Sequence, residues 1–158
     1  MPTISFPARG HGEHVDWALL RPEMAVGMGA LSEAVYGNTK LPLREREAAR
    51  WTIALINECK VCQGTRARAA AIDEGFYAEV AGWHSSEVLT PRERAAAEFA
   101  QHFALDHLAM DDTFWARMHA LFADDELADL TICCAMFLGM GRAMAVVGVE
   151  APEDRILV

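Results

Sequence analysis

Apolar residues recur along most of the chain at the three- and four-residue spacings of helices, and no stretch alternates apolar and polar residues for long. This periodicity predicts an all-α fold with one helical domain over 21–150. We expect 1–20 to form an irregular N-terminal arm and 151–158 a C-terminal tail. The predicted helices cover 21–37, 41–58, 59–75, 89–106, 111–122 and 124–148, with a shorter helix or turn at 76–86.

Several predicted helix boundaries are marked by particular residue types. Gly37 and Asn38 form a helix-ending pair, and Pro42 suits the first turn of the next helix. Thr90 and Glu93 have the spacing of a capping box, with a proline directly after the threonine. The sequence therefore predicts a clear helix start at Thr90.

The composition fits one domain that does not bind nucleic acid. A chain of 158 residues, 53% of them hydrophobic, is long enough to bury a core. The formal net charge of −9 should repel a phosphate backbone. No uninterrupted apolar run reaches the ~20 residues of a membrane span, and 1–17 lack the apolar core of a signal peptide. We therefore expect a cytoplasmic protein without membrane contact.

Cys59 and Cys62 form a CxxC pair, whose spacing puts both thiols on one face of a helix. With Asn57 as N-cap, Cys59 would lie in the first helical turn, where the helix dipole stabilises a thiolate. Arg66 is four residues after Cys62 on the same predicted helix, so it would face that thiol and favour the anion. In a cytosolic chain such a pair is more often redox-active or metal-binding than structural.

Other interpretations of the cysteines stay open at this point. The pair could simply fill a core, although polar residues surround it. A zinc site needs about four ligands, and a second CxxC is absent. Cys133 and Cys134 lie in a strongly apolar segment and are predicted core residues, while the histidines in 11–14 are predicted to be exposed. We therefore expect no metal and no cofactor.

Glu47 is the candidate base. The segments LPLREREAA (41–49) and LTPRERAAA (89–97) agree at six of nine positions, but Ala95 stands where the first has Glu47. If both segments start a helix in the same way, Glu47 is therefore not needed for that start. On one straight helix Glu47 and Cys62 would be ~22 Å apart, so contact requires the chain to fold back near Asn57. The alternative is a solvated surface glutamate.

The segment from 41 to 75 resembles the core motif of the carboxymuconolactone decarboxylase family, in particular its alkylhydroperoxidase D-like branch. That motif has a glutamate twelve residues before the first cysteine of a CxxC pair, as Glu47 is before Cys59, and a histidine four residues after the second cysteine. The later segment from 89 to 144 is similar to the second half of the family. Arg66 stands at the histidine position, and Val61 lies between the cysteines where some members have a histidine.

The resemblance implies an all-helical bundle that assembles into dimers, trimers or hexamers. It implies that Cys62 attacks a small peroxide, that Cys59 resolves it as a disulfide, and that Glu47 starts a proton relay. A dithiol reductant protein or a lipoyl carrier would then reduce the pair. Arginine cannot relay protons near neutral pH. Two alternatives stay open: Glu47 reaches the thiolate held by Arg66 directly or through water, or another histidine (His84, His102, His107 or His119) replaces the missing one in space.

Three functions are consistent with these features. The first is a thiol–disulfide oxidoreductase with alkyl hydroperoxide reductase activity. The second is a decarboxylase-type lyase, whose chemistry does not require a CxxC pair. The third is a non-catalytic oligomeric protein that has lost the relay histidine. Which thiol attacks is also open, because the helix dipole favours Cys59 and the resemblance favours Cys62.

Overall fold

The structure is a computed structural model that describes 2–69 and 72–151, together with the backbone of 156–157. Most of these residues are helical, as the periodicity predicts, and two short 3-10 turns lie at Ala18–Leu20 and His107–Ala109. In the described ranges the α-helices are α1 (Glu13–Asp16), α2 (Pro22–Asn38), α3 (Leu43–Ile56), α4 (Lys60–Gly64), α5 (Glu74–Ala81), α6 (Pro91–Leu105), α7 (Asp112–Leu121) and α8 (Asp124–Val147). The strands are β1 (Thr65–Arg66) and β2 (Ile156–Leu157).

The core lies around α3, which packs chiefly on α6 and α8. Every residue from Glu45 to Ala54 is buried, including the polar ones. A helix enclosed on all sides must pair its charged side chains internally, because an unpaired buried charge is costly. The charged residues of α3 are therefore held by specific partners.

The repeated segments at the starts of α3 and α6 exchange ion pairs. Arg44 of α3 pairs with Glu93 of α6, and Arg92 of α6 pairs with Glu45 of α3 at 3.0 Å. Each arginine also lies 4.4 Å from the centre of a phenylalanine ring. The arginine and the glutamate that the two segments share thus make equivalent ion pairs between α3 and α6. Glu47, which has no counterpart in α6, lies outside this exchange.

Most predicted helix boundaries are confirmed. The capping box at Thr90 and Glu93 is present at the start of α6, and α2 ends at Asn38. Pro42 is the N-cap of α3 and so lies one residue before its predicted place in the first turn.

The helix predicted over 59–75 is wrong, because α4 ends at Gly64. Two side chains donate hydrogen bonds to carbonyl groups at the end of α4. The Thr65 hydroxyl donates to Val61 O, and the Arg66 guanidinium donates to Gln63 O. The next residues are extended as β1 and pair in parallel with β2, Thr65 opposite Ile156. A contact between distant parts of the chain therefore overrides the local helical pattern.

Both terminal segments lie against α4. The predicted arm is irregular apart from α1 and a 3-10 turn, and Thr3 N donates to Val147 O at 2.7 Å. Phe6 and Trp17 pack on a small cluster that contains Cys59 and Val149. Of the predicted tail, 152–155 and 158 lie outside the described residues, and 156–157 form β2, which pairs with β1 after α4.

The helix α8 is long and apolar enough to cross a membrane by length and composition alone. Core helices pass the same test, and α8 packs here on α3, α2 and α6. Its buried residues include Leu130, Cys134 and Phe137. In this fold α8 is thus part of the core.

Candidate functional site

The chain reverses direction between α3 and α4, as contact between Glu47 and the CxxC pair requires. Asn57 ends α3, with its N–H donating to Ile53 O at 2.9 Å, and Glu58 has the left-handed φ of 50°. The prediction that Asn57 caps the following helix is wrong. Cys59 is the N-cap of α4, and its sulfur accepts a hydrogen bond from Cys62 N at 3.1 Å.

The Asn57 side chain joins the cysteine loop to α8. Its amide nitrogen donates to Leu138 O at 3.2 Å, and its oxygen accepts from Arg142 Nε at 2.9 Å. Asn57 is itself buried. It therefore fixes the position of the loop that carries the cysteines.

Cys59 and Cys62 are joined by a disulfide, with their Cα atoms 5.2 Å apart. The other two cysteines, Cys133 and Cys134, are buried free thiols in α8. Burial raises the pKa of Cys133 to about 11 and that of Cys134 well above its usual range. Both stay neutral near pH 7, as expected of core residues.

The two bonded cysteines differ in access. Cys59 is only 1% exposed, beneath Phe6 and Trp17 of the arm. Cys62 borders a cavity of about 120 Å³ between α2, α3, α4 and α8. The cavity wall is mainly apolar, and its polar side chains are those of Ser32, Tyr36, Arg50 and Thr65.

Glu47 lies inside the protein with no exposed surface, so its interpretation as a solvated surface glutamate is wrong. Its Oε2 accepts hydrogen bonds from Arg50 Nε at 2.9 Å and from the Tyr77 hydroxyl at 3.0 Å. Its Oε1 has no hydrogen-bond partner among the described residues. The carboxylate is thus anchored through one oxygen while the other stays available.

Arg50 connects Glu47 to the cysteine loop. Its guanidinium donates to Cys62 O at 2.9 Å and to Thr65 O at 3.2 Å, and it borders the same cavity as Cys62. Burial by itself lowers the pKa of Arg50, but the adjacent Glu47 carboxylate raises it above its usual value, so the side chain stays charged. Sequence reasoning missed this residue, although it follows Glu47 by three positions on one helical face.

Arg66 does not have the predicted relation to Cys62, because α4 ends before it. Its guanidinium pairs with Glu74 at 2.8 Å and donates to Thr65 O at 2.9 Å. It also lies 4.9 Å from the Trp51 ring centre and 4.7 Å from that of Tyr77. The cation beside Cys62 is Arg50, and Arg66 instead packs on the tyrosine that binds Glu47.

We expect Arg66→Met to leave the pKa of the Cys62 thiol unchanged within a few tenths of a unit. The free energy of unfolding should fall by about 1–3 kcal/mol, because the charged hydrogen bonds and the aromatic contacts of the guanidinium are lost. Alkylation of the reduced protein across pH and urea unfolding measure the two quantities. A rise of a full unit in the Cys62 pKa would contradict this assignment.

Gly141 of α8 allows the cysteine loop to approach the helix. A Cβ atom at this position would lie 2.8 Å from Asn57 Nδ2 and 3.2 Å from Cys62 Sγ. Gly139, two residues earlier, would place its Cβ in open space. The two glycines are therefore a matched pair for testing how closely the site is packed.

Gly141→Ala should destabilise the protein by about 1–3 kcal/mol, because the added methyl overpacks a buried contact. Gly139→Ala should be neutral or stabilise by up to about 1 kcal/mol through its helix propensity. Urea unfolding of both oxidised variants provides the comparison. Equal effects would show that Asn57 and Cys62 move aside without cost.

The histidines proposed as relay substitutes lie elsewhere. None of His84, His102, His107 and His119 borders the cavity beside Cys62. His84 stacks on Trp83, and His119 lies 3.3 Å from Asp124. Within 2–69 and 72–151 no three His, Cys, Asp or Glu side chains are grouped to hold a metal ion.

The fold matches that of two solved structures. A protein of unknown function from Agrobacterium tumefaciens, whose name proposes AhpD antioxidant defence, superposes with a TM-score of 0.77 at 20% identity, covering 88% of this chain and 97% of the other. An uncharacterised peroxidase-related protein from Silicibacter sp. TM1040 gives 0.76 at 16% identity, with 89% and 76% covered. No protein-family model and no curated protein matches the chain.

These similarities show that the chain has the all-α, alkylhydroperoxidase D-like fold that the motif predicts. At such identities they define the fold alone. The chemistry of the site depends on the residues of this chain.

Proposed function

We propose that the protein is a thiol–disulfide oxidoreductase that reduces small peroxides through Cys62 and Cys59. The observation that carries this proposal is the position of Cys62, bonded to Cys59 and bordering an apolar cavity next to the charged Arg50. The peroxidase-related and antioxidant names of the two similar structures support it. Membership of the carboxymuconolactone decarboxylase family is part of the same proposal.

The reaction proceeds in two oxidative steps. The Cys62 thiolate, stabilised by Arg50, attacks the terminal peroxide oxygen, so that an S–O bond forms and the O–O bond breaks. The sulfur becomes a sulfenic acid and the peroxide an alcohol. Cys59 then attacks that sulfur, releasing water and forming the disulfide. A dithiol partner, either a reductant protein or a lipoyl carrier, returns the pair to thiols by exchange.

Glu47 has an electrostatic role in this scheme. Its carboxylate binds Arg50, which in turn donates to the backbone carbonyl of Cys62, so Glu47 fixes the cation beside the reacting thiol. Arg66 acts indirectly, by holding Tyr77 against Glu47. The two alternative functions, a lyase and a non-catalytic protein, find no specific support in these contacts.

We also propose that the protein self-associates in the cytoplasm. The final helix α8 is partly core, since Met136 and Phe137 are buried. Of the residues of α2, only Val35 is buried, while Met24 and Val26 are 61% and 74% exposed. Such apolar exposure suits a contact with a second copy. Sedimentation as a clean monomer at micromolar concentration would contradict the self-association.

Titration of thiols tests the proposed activity. The reduced protein should lose two thiols per chain on treatment with an alkyl hydroperoxide, and dithiothreitol should restore both. Peptide mapping should find Cys59 linked to Cys62, with Cys133 and Cys134 still free. Retention of all thiols under excess peroxide would overturn the proposal and favour a non-catalytic protein.

A further inference from the structure

Peroxide cleavage at Cys62 needs a proton donor that the preceding contacts do not supply. When the O–O bond breaks, the leaving alkoxide must be protonated, because it is a strong base in an apolar cavity. Arg50 and Arg66 keep their protons at any ordinary pH. Neither Glu47 nor any histidine borders the cavity. The donor must therefore be another group on the cavity wall.

We propose that Tyr36 is the catalytic proton donor to the leaving oxygen. This inference rests on the proposed peroxidase function and adds to it a catalytic residue from α2, outside the segment that resembles the family motif. Tyr36 and Cys62 border the same cavity. A peroxide that occupies this cavity would contact both side chains.

The Tyr36 ring is held by its neighbours. It packs on Phe137, with the ring centres 6.0 Å apart, and the Arg46 guanidinium lies 5.1 Å from its centre. Arg46 also donates to the Tyr36 carbonyl at 3.2 Å. A side chain held by two neighbours presents its hydroxyl in a defined position, which proton transfer requires.

The hydroxyl of Tyr36 is uncommitted. Within the described part of the chain it makes no hydrogen bond, whereas the hydroxyl of the other tyrosine, Tyr77, donates to Glu47 and accepts from Ala67 N. A hydroxyl on the wall of an apolar cavity is best satisfied by a ligand or by water. Of the two tyrosines, only Tyr36 is therefore placed to serve a substrate.

Tyr36 holds its proton until the leaving oxygen takes it. Burial raises the pKa of Tyr36 to about 12, with Arg50 lowering it and Glu47 raising it, and Arg46 and Cys133 exerting weaker, opposite effects. The phenol is thus neutral across the range in which a thiol reacts. An alkoxide is a stronger base than this phenolate, so transfer to it is favourable.

In this step one S–O bond forms and the O–O bond breaks. Cys62 sulfur bonds to the terminal oxygen, which keeps its hydrogen and becomes the sulfenic acid, while the inner oxygen leaves with the electron pair of the O–O bond. Tyr36 gives its proton to that oxygen and becomes a phenolate. The phenolate recovers a proton through solvent, equivalent to the one that Cys62 lost on ionising.

Comparing two kinds of peroxide tests this role. In single-turnover experiments with the pre-reduced protein, Tyr36→Phe should slow the reaction with tert-butyl hydroperoxide by about 100-fold, the lower end of general acid catalysis. The reaction with a peroxycarboxylic acid should slow by less than about threefold, because its carboxylate leaving group needs no proton. Tyr77→Phe is the matched control. It removes a hydroxyl that binds Glu47, so it should change both rates by the same factor.

The outcomes separate this inference from the function on which it rests. If the wild-type protein reacts with neither peroxide, the proposed function fails. If the wild type reacts and Tyr36→Phe slows both peroxides equally, Tyr36 only shapes the cavity and the inference is overturned. Urea unfolding and the pH profile of Cys62 alkylation, both expected to be nearly unchanged in Tyr36→Phe, exclude misfolding and an altered thiol as causes.

Discussion

Replacing Arg50 with methionine is expected to lower the free energy of unfolding by about 3–5 kcal/mol, the cost of leaving one partner of a buried ion pair uncompensated. Glu47 would stay buried with no exposed surface, and its bonded oxygen would keep only the Tyr77 hydroxyl. The carbonyl groups of Cys62 and Thr65 would lose their donor as well. A domain is typically stable by about 5–15 kcal/mol, so this change removes a large share.

Urea unfolding of the oxidised protein measures this loss, and two further variants control it. Arg46→Met removes another buried arginine of α3, which has no carboxylate partner among the described residues. It should therefore lower the free energy of unfolding clearly less than Arg50→Met. The double variant Glu47→Gln/Arg50→Met replaces the carboxyl group that has lost its arginine with a neutral amide and should recover part of the free energy of unfolding. If Arg50→Met lowered the free energy of unfolding no more than Arg46→Met, the ion pair with Glu47 would not be the source of the stability that Arg50 contributes.

The same residues show how far the sequence could predict the site. Cys59 and Cys62 are paired as their spacing predicts, and the chain reverses at Asn57, where an approach of Glu47 to the cysteines would require it. The run REREAAR, however, looks like a solvated surface, and only the assembled core shows that α3 is enclosed on all sides. Burial of a polar face depends on partners from α5, α6 and α8, which local periodicity does not record.

The position of Arg66 was mispredicted for a related reason. Counting four residues from Cys62 assumes a continuous helix, but α4 is only one turn long and then pairs as β1 with a strand near the end of the chain. Short helices have little stability of their own, so a distant contact decides where they end. Tyr36 was missed because it lies 26 residues before Cys62 on α2, and only the packing of α2 against α8 brings it to the cavity.

The two cysteines of the disulfide should behave differently when each is replaced by serine in turn. Cys62→Ser is expected to reduce the rate of peroxide consumption by at least ~10³-fold, because it removes the attacking nucleophile. The Cys59→Ser protein should still carry out the attack of Cys62 on the peroxide but should not form the disulfide. It should consume one peroxide per chain and leave a sulfenic acid on Cys62, which dimedone traps. Cys133→Ala, which changes a buried neutral thiol, should still consume peroxide and form the disulfide.

We expect Cys62 to attack first because a peroxide can reach it more easily than Cys59. Cys62 borders the cavity and adjoins Arg50, whereas Cys59 is 1% exposed beneath the arm. The helix dipole argues the other way, because Cys59 is the N-cap of α4 and its sulfur accepts the Cys62 N–H. A thiolate that a peroxide cannot reach does not react, so we expect access to outweigh the dipole. A sulfenic acid trapped on Cys59 in the Cys62→Ser protein, at an undiminished rate, would show instead that the arm opens and that the N-cap thiol attacks.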